Sequence, residues 1–397
     1  MAEQQPLRIL HCFRSPVGGI FRHVRDLVEE HSKAGHEIGI LCDSSTGGEY
    51  EDSLFDDIRP YLSLGLTRVP IRRSISPSDI ATMWDTYKKI KSLRPDVLHG
   101  HGAKGGVLAR LAGSALRVNR YRVARLYTAH GGSLHYSRSS LSGQFVLKME
   151  RLQEYFTDAL VFICEYERDT YARKVGRPRT KTRLIYNGIG DRDFEPIPTR
   201  SDAVHFIYVG MLRDLKGPDL FVDAFAKTER LLGRPLSALM IGDGPDRDRY
   251  REMMVERGLG KRIGMLPAMR VHEAFSMAQN LVVPSRAEAM PYIVLEGLGA
   301  GKTIIASRVG GIPEVLGADS AALVEPGNSD DLARVMAETL STPDWHARTM
   351  PKPEAVKAVF SSAVMARDVL KLYHELVNPT AGPTAGPTAG QAMPVAS

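Results

Sequence analysis

Short apolar runs alternate with amphipathic helical stretches along nearly the whole chain, and the series is played out twice. Strand-like runs fall at 7–13, 37–43, 96–102, 125–131, 159–165 and 182–188. A second set falls at 203–210, 238–244, 261–266, 280–285, 302–307 and 321–326. Helical periodicity fills the intervals, as at 18–34, 78–94, 140–157, 217–232, 246–258 and 328–341. A strand reached through a crossover helix runs parallel to its neighbour, and a parallel sheet is covered on both faces. The pattern predicts an α/β chain of two doubly wound, Rossmann-like domains facing a central cleft. The 397 residues leave room for two cores at roughly 100–200 residues per domain.

The first domain is expected over 1–190 and the second over 203–353. Between them 191–202 reads as a linker, because the stretch 189–202 is polar and carries Pro196 and Pro198. A last helix is expected at 354–377, with a return to the first domain open to it. The repeated PTAG of 379–390 cannot build a packed core, so 378–397 is expected to be a disordered tail.

Composition narrows the class further. An apolar share of 43% and a charged share of 25% exclude collagen-like and wholly disordered chains. No apolar run approaches the 18 or more residues of a membrane span, and LRILHCF (7–13) follows the N-terminus too closely for a leader peptide. Cys12, Cys42 and Cys164 each sit in an apolar run, which suits reduced thiols in a cytoplasmic protein. The net charge of +6 is unevenly spread: residues 1–190 hold 29 Lys and Arg against 20 Asp and Glu. The segment 101–149 holds eight basic residues and no acidic one. Such a half suits an anionic partner, a membrane surface or nucleic acid. Without aromatic interleaving or a known module, nucleic acid is the least supported of these.

In doubly wound sheets ligands bind beyond the carboxyl ends of the strands, and the candidate motifs sit there. EAMPYIVLE (288–296) follows a strand; Pro291 suits the first turn of a helix. Glu288 then lies in the loop and Glu296 one to two turns into the helix. One carboxylate can accept from a ribose diol and the other from a sugar hydroxyl, although acidic residues also suit a helix start electrostatically. In VGMLRDLKG (209–217), Arg213 and Lys216 precede a helix and together suit a diphosphate. Gly18 and Gly19 open another helix and let backbone approach a ligand closely. His130 ends a strand in TAHGG (128–132); a packing role is the commoner fate of such a histidine. His99 and His101 alternate as metal ligands do, but no Cys or third His follows at ligand spacing, so no metal is expected. GDGP (242–245) and VGGIPEVL (309–316) read first as turns. The acidic triplets at 191–193 and 246–248 read as linker and helix start, not as metal holders.

In this order the motifs resemble glycosyltransferase family 4, retaining enzymes of the GT-B fold. The resemblance spans 7–377 and rests on GGIFRHV, TAHGG, YNGI (186–189), VGMLRDLKG, GDGP, VPSRAEAMPYIVLE and VGGIPEVL. It implies that Glu296 holds the nucleotide ribose and that Glu288 lies near the sugar C3 hydroxyl and reacting face. Backbone at Ala289, Met290, Pro291 and Tyr292 would lie against sugar and phosphate, with Gly244 and Gly19 also lining the donor. Lys216 matches the lysine on the diphosphate and His130 the histidine near the reacting centre. The family often has Arg where Met211 stands here, so Arg213 is expected to supply that cation. Gly190 stands where the family's common NGVD has Asp.

The expected activity is transfer of a hexose-type sugar from a nucleoside diphosphate sugar to a glycan or lipid-linked acceptor, with retention. The donor is a substrate, and neither cofactor nor metal is expected. Glu288 is open to two roles, nucleophile or positioning group. The basic first half is expected to meet the acceptor, with peripheral contact at the inner face of the cytoplasmic membrane and no nucleic acid partner. By analogy the pathway is bacterial surface polysaccharide or lipopolysaccharide synthesis. The alternatives are a nucleotide-sugar 2-epimerase of the same fold and a non-catalytic sugar-nucleotide sensor.

Overall fold

A computed structural model describes residues 5–16, 18–71, 79–119 and 121–378. The PTAG repeats lie outside the described residues, so the expectation of a disordered tail is not addressed. The described residues form two compact units. The first contains those up to Gly188 and those from Ser362 onward; the second is Ile189–Ser361.

The first unit holds β1 (Arg8–Phe13), β2 (Glu37–Asp43), β3 (Gly65–Val69), β4 (Val97–His101), β5 (Ala124–Thr128), β6 (Ala159–Phe162) and β7 (Lys181–Leu184). Its sheet order is β3-β2-β1-β4-β5-β6-β7, with every neighbour parallel. The second unit holds β8 (Val204–Val209), β9 (Ala238–Ile241), β10 (Ile263–Leu266), β11 (Ala278–Val283), β12 (Thr303–Ser307) and β13 (Leu323–Val324). Its order is β10-β9-β8-β11-β12-β13, again parallel. Both sheets are doubly wound. The strand order reverses between β1 and β4 in one and between β8 and β11 in the other, which marks the two ligand-binding edges.

The apolar runs become central strands because both faces are covered. Ile9, Leu10, Cys12 and Phe13 of β1 are fully buried, as are Phe206 and Ile207 near the centre of β8. Cys12, Cys42 and Cys164 are free and buried, as their settings imply. Burial pushes the Cys12 and Cys42 thiols up to about 12. β3 has no counterpart among the expected strands. GLTRV is a half-buried edge strand with one polar and one charged residue, so it lacks the apolar run that marks the others.

Two boundaries differ from the sequence expectation. The stretch 191–202 is no free linker but part of the second unit. Asp191–Phe194 forms a 3-10 turn with Asp193 buried, and Asp193 Oδ2 accepts from Gly190 N at 2.9 Å. Ile197 N donates to Ala300 O at 3.1 Å, and Lys302 Nζ donates to Ile197 O at 2.8 Å. Burial lowers the Lys302 ammonium to about 8. The expected helix 354–377 is two helices, Pro353–Phe360 and Ser362–Val377, broken at an extended Ser361. The second of them belongs to the first unit. Val369, Leu372 and Tyr373 enter that unit's core, and Ser362 Oγ meets Glu30 Oε1 at 3.0 Å.

Candidate functional site

At the carboxyl edge of the second sheet, β8 and β11 each feed a loop. The β8 loop turns through Asp214–Lys216 into the helix Pro218–Leu232. The β11 loop runs to the helix Tyr292–Gly299. The loops meet: Lys216 Nζ donates to Glu288 Oε1 at 2.5 Å, and Ser285 Oγ donates to the same oxygen at 2.7 Å. Lys216 is about one-third exposed and Glu288 nearly buried. Burial, then the Glu288 charge, push the neighbouring Tyr208 phenol well up.

Glycine makes this approach possible. Gly217 has φ +68°, and a Cβ there would stand 2.1 Å from Pro284 O. Arg286 closes the same seam, donating its backbone N–H to Leu215 O at 2.9 Å and gripping Asp219 with both terminal nitrogens, at 2.9 and 2.5 Å. On the far side Gly310, φ +60°, presses on the loop; a Cβ would meet Glu288 O at 2.4 Å and Ala289 O at 2.6 Å. Gly311 N donates to Ala289 O at 2.5 Å. VGGIPEVL is thus the buttress of the glutamate loop. GDGP buttresses the cation loop: a Cβ on Gly244 would meet Leu212 O at 2.3 Å, and Leu212 N donates to Asp243 O at 2.9 Å.

The remaining second-unit candidates fall along these loops. Arg213 is exposed, and its guanidinium has no ion-pair or hydrogen-bond partner among the described residues. Pro291 caps the helix from outside, at ψ 125°, where the sequence suggested its first turn; the first helical residue is Tyr292. Glu296 is half-buried, five residues into that helix, while Met290 and Tyr292 are buried and Ala289 half-buried.

The first unit gathers histidines at its own switch point. His11 on β1 stands in register with His99 on β4, and His101 ends β4. His130 follows β5 in the left-handed region, φ +51°, which few non-glycine residues adopt. His130 Nε2 lies 3.1 Å from His101 Nδ1, and His101 Nε2 lies 3.0 Å from His11 Nδ1. His23, from the helix Gly18–Lys33, sets its ring edge-on to His130 at 4.7 Å and its Nδ1 3.1 Å from Asn187 Oδ1. His99 is spent on Tyr373 OH at 2.6 Å and Thr128 Oγ1 at 2.8 Å. Burial lowers His11, His99, His101 and His130 well below the ordinary imidazole value, and His23 to about 4. The His130 turn is fixed from below by Glu167, which accepts from Gly131 N at 2.7 Å and Ile163 N at 2.9 Å. Burial raises that carboxyl to about 7. Gly18 and Gly19 open their helix as expected and are exposed.

Sequence reading missed Ser285, Arg286, His11, His23 and Asn187. His23 lay inside GGIFRHV, Asn187 inside YNGI, and Ser285 and Arg286 inside VPSRAEAMPYIVLE, where each passed unremarked; His11 lay in none of these motifs. The ground for dismissing a metal at His99 and His101, the want of a third ligand nearby in sequence, does not hold in three dimensions. Topology supplies the others. The basic stretch 101–149 is also less basic in space than in sequence. Arg110 pairs with Glu150 at 2.7 Å, fully buried, and Arg117 and Arg125 both pair with Asp158.

Residues 17–192 match the family described as Glycosyltransferase Family 4, and residues 191–356 the family described as Glycosyl transferases group 1. A phosphatidylinositol N-acetylglucosaminyltransferase subunit of Arabidopsis thaliana is 25% identical over 360 residues, 86% of this chain and 76% of that protein. Putative glycosyltransferase EpsD of Bacillus subtilis is 25% identical over 359 residues, 85% of this chain and 89% of its own length. Among solved structures, sucrose-phosphate synthase from Thermosynechococcus elongatus superposes with a TM-score of 0.73 at 23% identity, covering 94% of this chain and all of that one. WaaG, a glycosyltransferase involved in lipopolysaccharide biosynthesis, superposes at 0.63 and 14% identity, covering 94% of this chain and all of its own. The fold they share is GT-B.

Proposed function

The chain belongs to the glycosyltransferases of family 4 and group 1, and from that premise we propose a retaining, metal-independent transferase. Its donor is a nucleoside diphosphate hexose and its acceptor a hydroxyl of a glycan or lipid-linked glycan. The observation that carries the reading is the Lys216–Glu288 pair at the switch point of the second sheet, with Glu296 beyond it on the adjoining helix.

The chemistry follows from what leaves. Breaking the bond to a nucleoside diphosphate builds negative charge on the phosphates. Lys216, Arg213 and the amides opening the helix Pro218–Leu232 stabilise it with fixed positive charge, in place before the reaction. Lys216 carries three N–H donors, so it can keep Glu288 while gripping the diphosphate. Sugar and leaving group are then held by one linked pair. Glu288 Oε1 already accepts from both Lys216 and Ser285, so that oxygen's lone pairs are engaged before any sugar arrives. That favours a positioning role over a nucleophilic one, with the acceptor attacking from the face the leaving group vacates. Glu296 grips the ribose, and His130 serves the reacting sugar.

For the acceptor side, the helix Leu141–Gln153 exposes Leu141, Phe145 and Leu152, with exposed Lys148 on the same side. An apolar stripe beside a cation suits the surface of an anionic bilayer, and no described helix is long and apolar enough to cross one. We therefore place the enzyme peripherally on the cytoplasmic membrane face, in surface polysaccharide or lipopolysaccharide assembly. WaaG, which has the same fold, supports that pathway by its involvement in lipopolysaccharide biosynthesis. Vesicles containing phosphatidylglycerol should sediment the protein, less so as salt rises and much less for Phe145→Asp. Equal sedimentation by neutral vesicles would remove the electrostatic part of this reading.

The decisive experiment is a screen of nucleoside diphosphate sugars by thermal shift. Slow donor hydrolysis follows, and then NMR of the transferred anomer. A retained configuration with EDTA present is expected. An inverted product, or no donor that raises the melting point, overturns the proposal.

A further inference from the structure

The structure assigns to the first unit a transition-metal site formed by His23, His101 and His130, selective for a borderline divalent ion such as zinc. One potential ligand nitrogen from each of the three lies within 4.8 Å of those of the other two. A tetrahedral zinc with Zn–N bonds of about 2.0–2.1 Å sets its ligand nitrogens about 3.4 Å apart. His101 Nδ1 and His130 Nε2, 3.1 Å apart, already stand near that spacing. His23 has to move in by no more than about an ångström and a half.

Three further observations favour a site over a packed cluster. The first is outer support. His101 Nε2 faces His11 Nδ1 at 3.0 Å, and His23 Nδ1 faces Asn187 Oδ1 at 3.1 Å. Asn187 Oδ1 can only accept, so it places the His23 proton on Nδ1 and the lone pair on Nε2. With the His101 proton on Nε2 and the His130 proton on Nδ1, all three rings bind as neutral imidazoles and no proton is released. The second is the donor set: three imidazoles brought together from a helix, a strand end and the turn after a strand are the ligands that borderline ions such as zinc, copper and nickel take. The third is place. His101 ends β4 beside β1, where the strand order reverses, and half-buried His130 leaves one side open to solvent. Three protein ligands with an open fourth position are the arrangement of a reactive or inhibitable zinc site, not of a closed structural one. The neighbouring triad of His11, His99 and His101 is less suited, because both nitrogens of His99 are already spent on Tyr373 and Thr128. Without a carboxylate in the set, magnesium and calcium are poor occupants.

A metal here takes the His130 nitrogen, so it should inhibit sugar transfer; that consequence alone rests on the role given to His130 above. The test titrates the full chain, stripped with EDTA and dialysed, with zinc and with magnesium by calorimetry. One zinc equivalent should bind with a dissociation constant below ten micromolar, with no magnesium heat. Affinity should fall at least 30-fold in His101→Ala and in His130→Ala, and stay unchanged in His135→Ala, which alters an exposed histidine outside the set. Binding that survives both variants, or none in the unaltered chain, overturns the site. If the variants fail to fold, cobalt loading of the unaltered chain decides: intense visible bands of a four-coordinate ion support the site, and the pale spectrum of a six-coordinate ion overturns it. Zinc that binds as described without slowing transfer supports the site and removes His130 from the reaction.

Discussion

Lys216 and Glu288 each have a partner before any donor arrives. The two are 72 residues apart and belong to different loops, so neither loop is positioned by itself. A charge-assisted hydrogen bond contributes about 1.5–3 kcal/mol. Expressed in the transition state, the loss in Lys216→Ala should lower kcat about 10- to 150-fold; unchanged turnover at saturating donor would sink the phosphate assignment. Glu296→Ala should behave differently. Its carboxylate binds the ribose equally in ground and transition states, so calorimetry should show nucleoside diphosphate affinity falling about tenfold or more while kcat is largely kept. Intact affinity would dissociate Glu296 from the nucleotide. Lys216 and Glu288 were legible in sequence because each sits a few positions beyond a strand, and Glu296 because it closes the same EAMPYIVLE motif as Glu288. Ser285 and Arg286 lie in the same stretch but escaped notice, since nothing local shows that Arg286 meets Asp219 across the seam.

At the level of elements, the alternation of runs predicted the strands well, because a strand buried on both faces must be apolar throughout. It failed for β3, a half-buried edge strand. It also overran the end of β5, where the left-handed backbone at His130 and Gly131 turns the chain out of the sheet. The loops were legible as turns but not as buttresses; Gly310 was noted without its contact. Gly310→Ala forces a Cβ against Glu288 O at a left-handed position. It should cost about 1–3 kcal/mol in urea melts and weaken donor binding with it. Gly317→Ala is the control: φ is +92° there too, but nothing lies within 4 Å. It should cost stability while leaving donor affinity intact. Equal affinity loss in both would separate the VGGIPEVL buttress from the site. The histidine cluster was illegible for another reason. Its members come from β1, β4, a helix and the β5 turn, and only His99 and His101 are close enough in sequence to suggest one another.

Taken whole, the molecule divides its ionisable burden unequally. His11, His23, His31, His99 and His101, all buried, and half-buried His130 are lowered in the first unit, with His23 and His31 near 4. Of the described histidines in the second unit, half-buried His205 and exposed His346 are lowered. A folded-state value below the unfolded one means the unfolded chain binds protons more readily. This stability is complete above pH 6.5 and is lost as pH falls through 6.5 toward 4. His23 alone accounts for about 3 kcal/mol. Calorimetric scans from pH 7.5 to 5 should therefore show the first unit's transition falling steeply and the second's only slightly. A second-unit transition that falls as far would refute this. On the ribosome, too, the units differ. Ile189–Ser361 is continuous in sequence and can close as soon as it emerges. The first unit is made earliest and finished last, because Tyr373, the partner of His99, and Ala366, whose carbonyl meets His31, arrive with the helix Ser362–Val377. Until that helix is translated, the amino-terminal sheet stands with an uncovered apolar face, a natural client for chaperones. A stop codon after residue 361 would remove none of the second unit and would unmake the first.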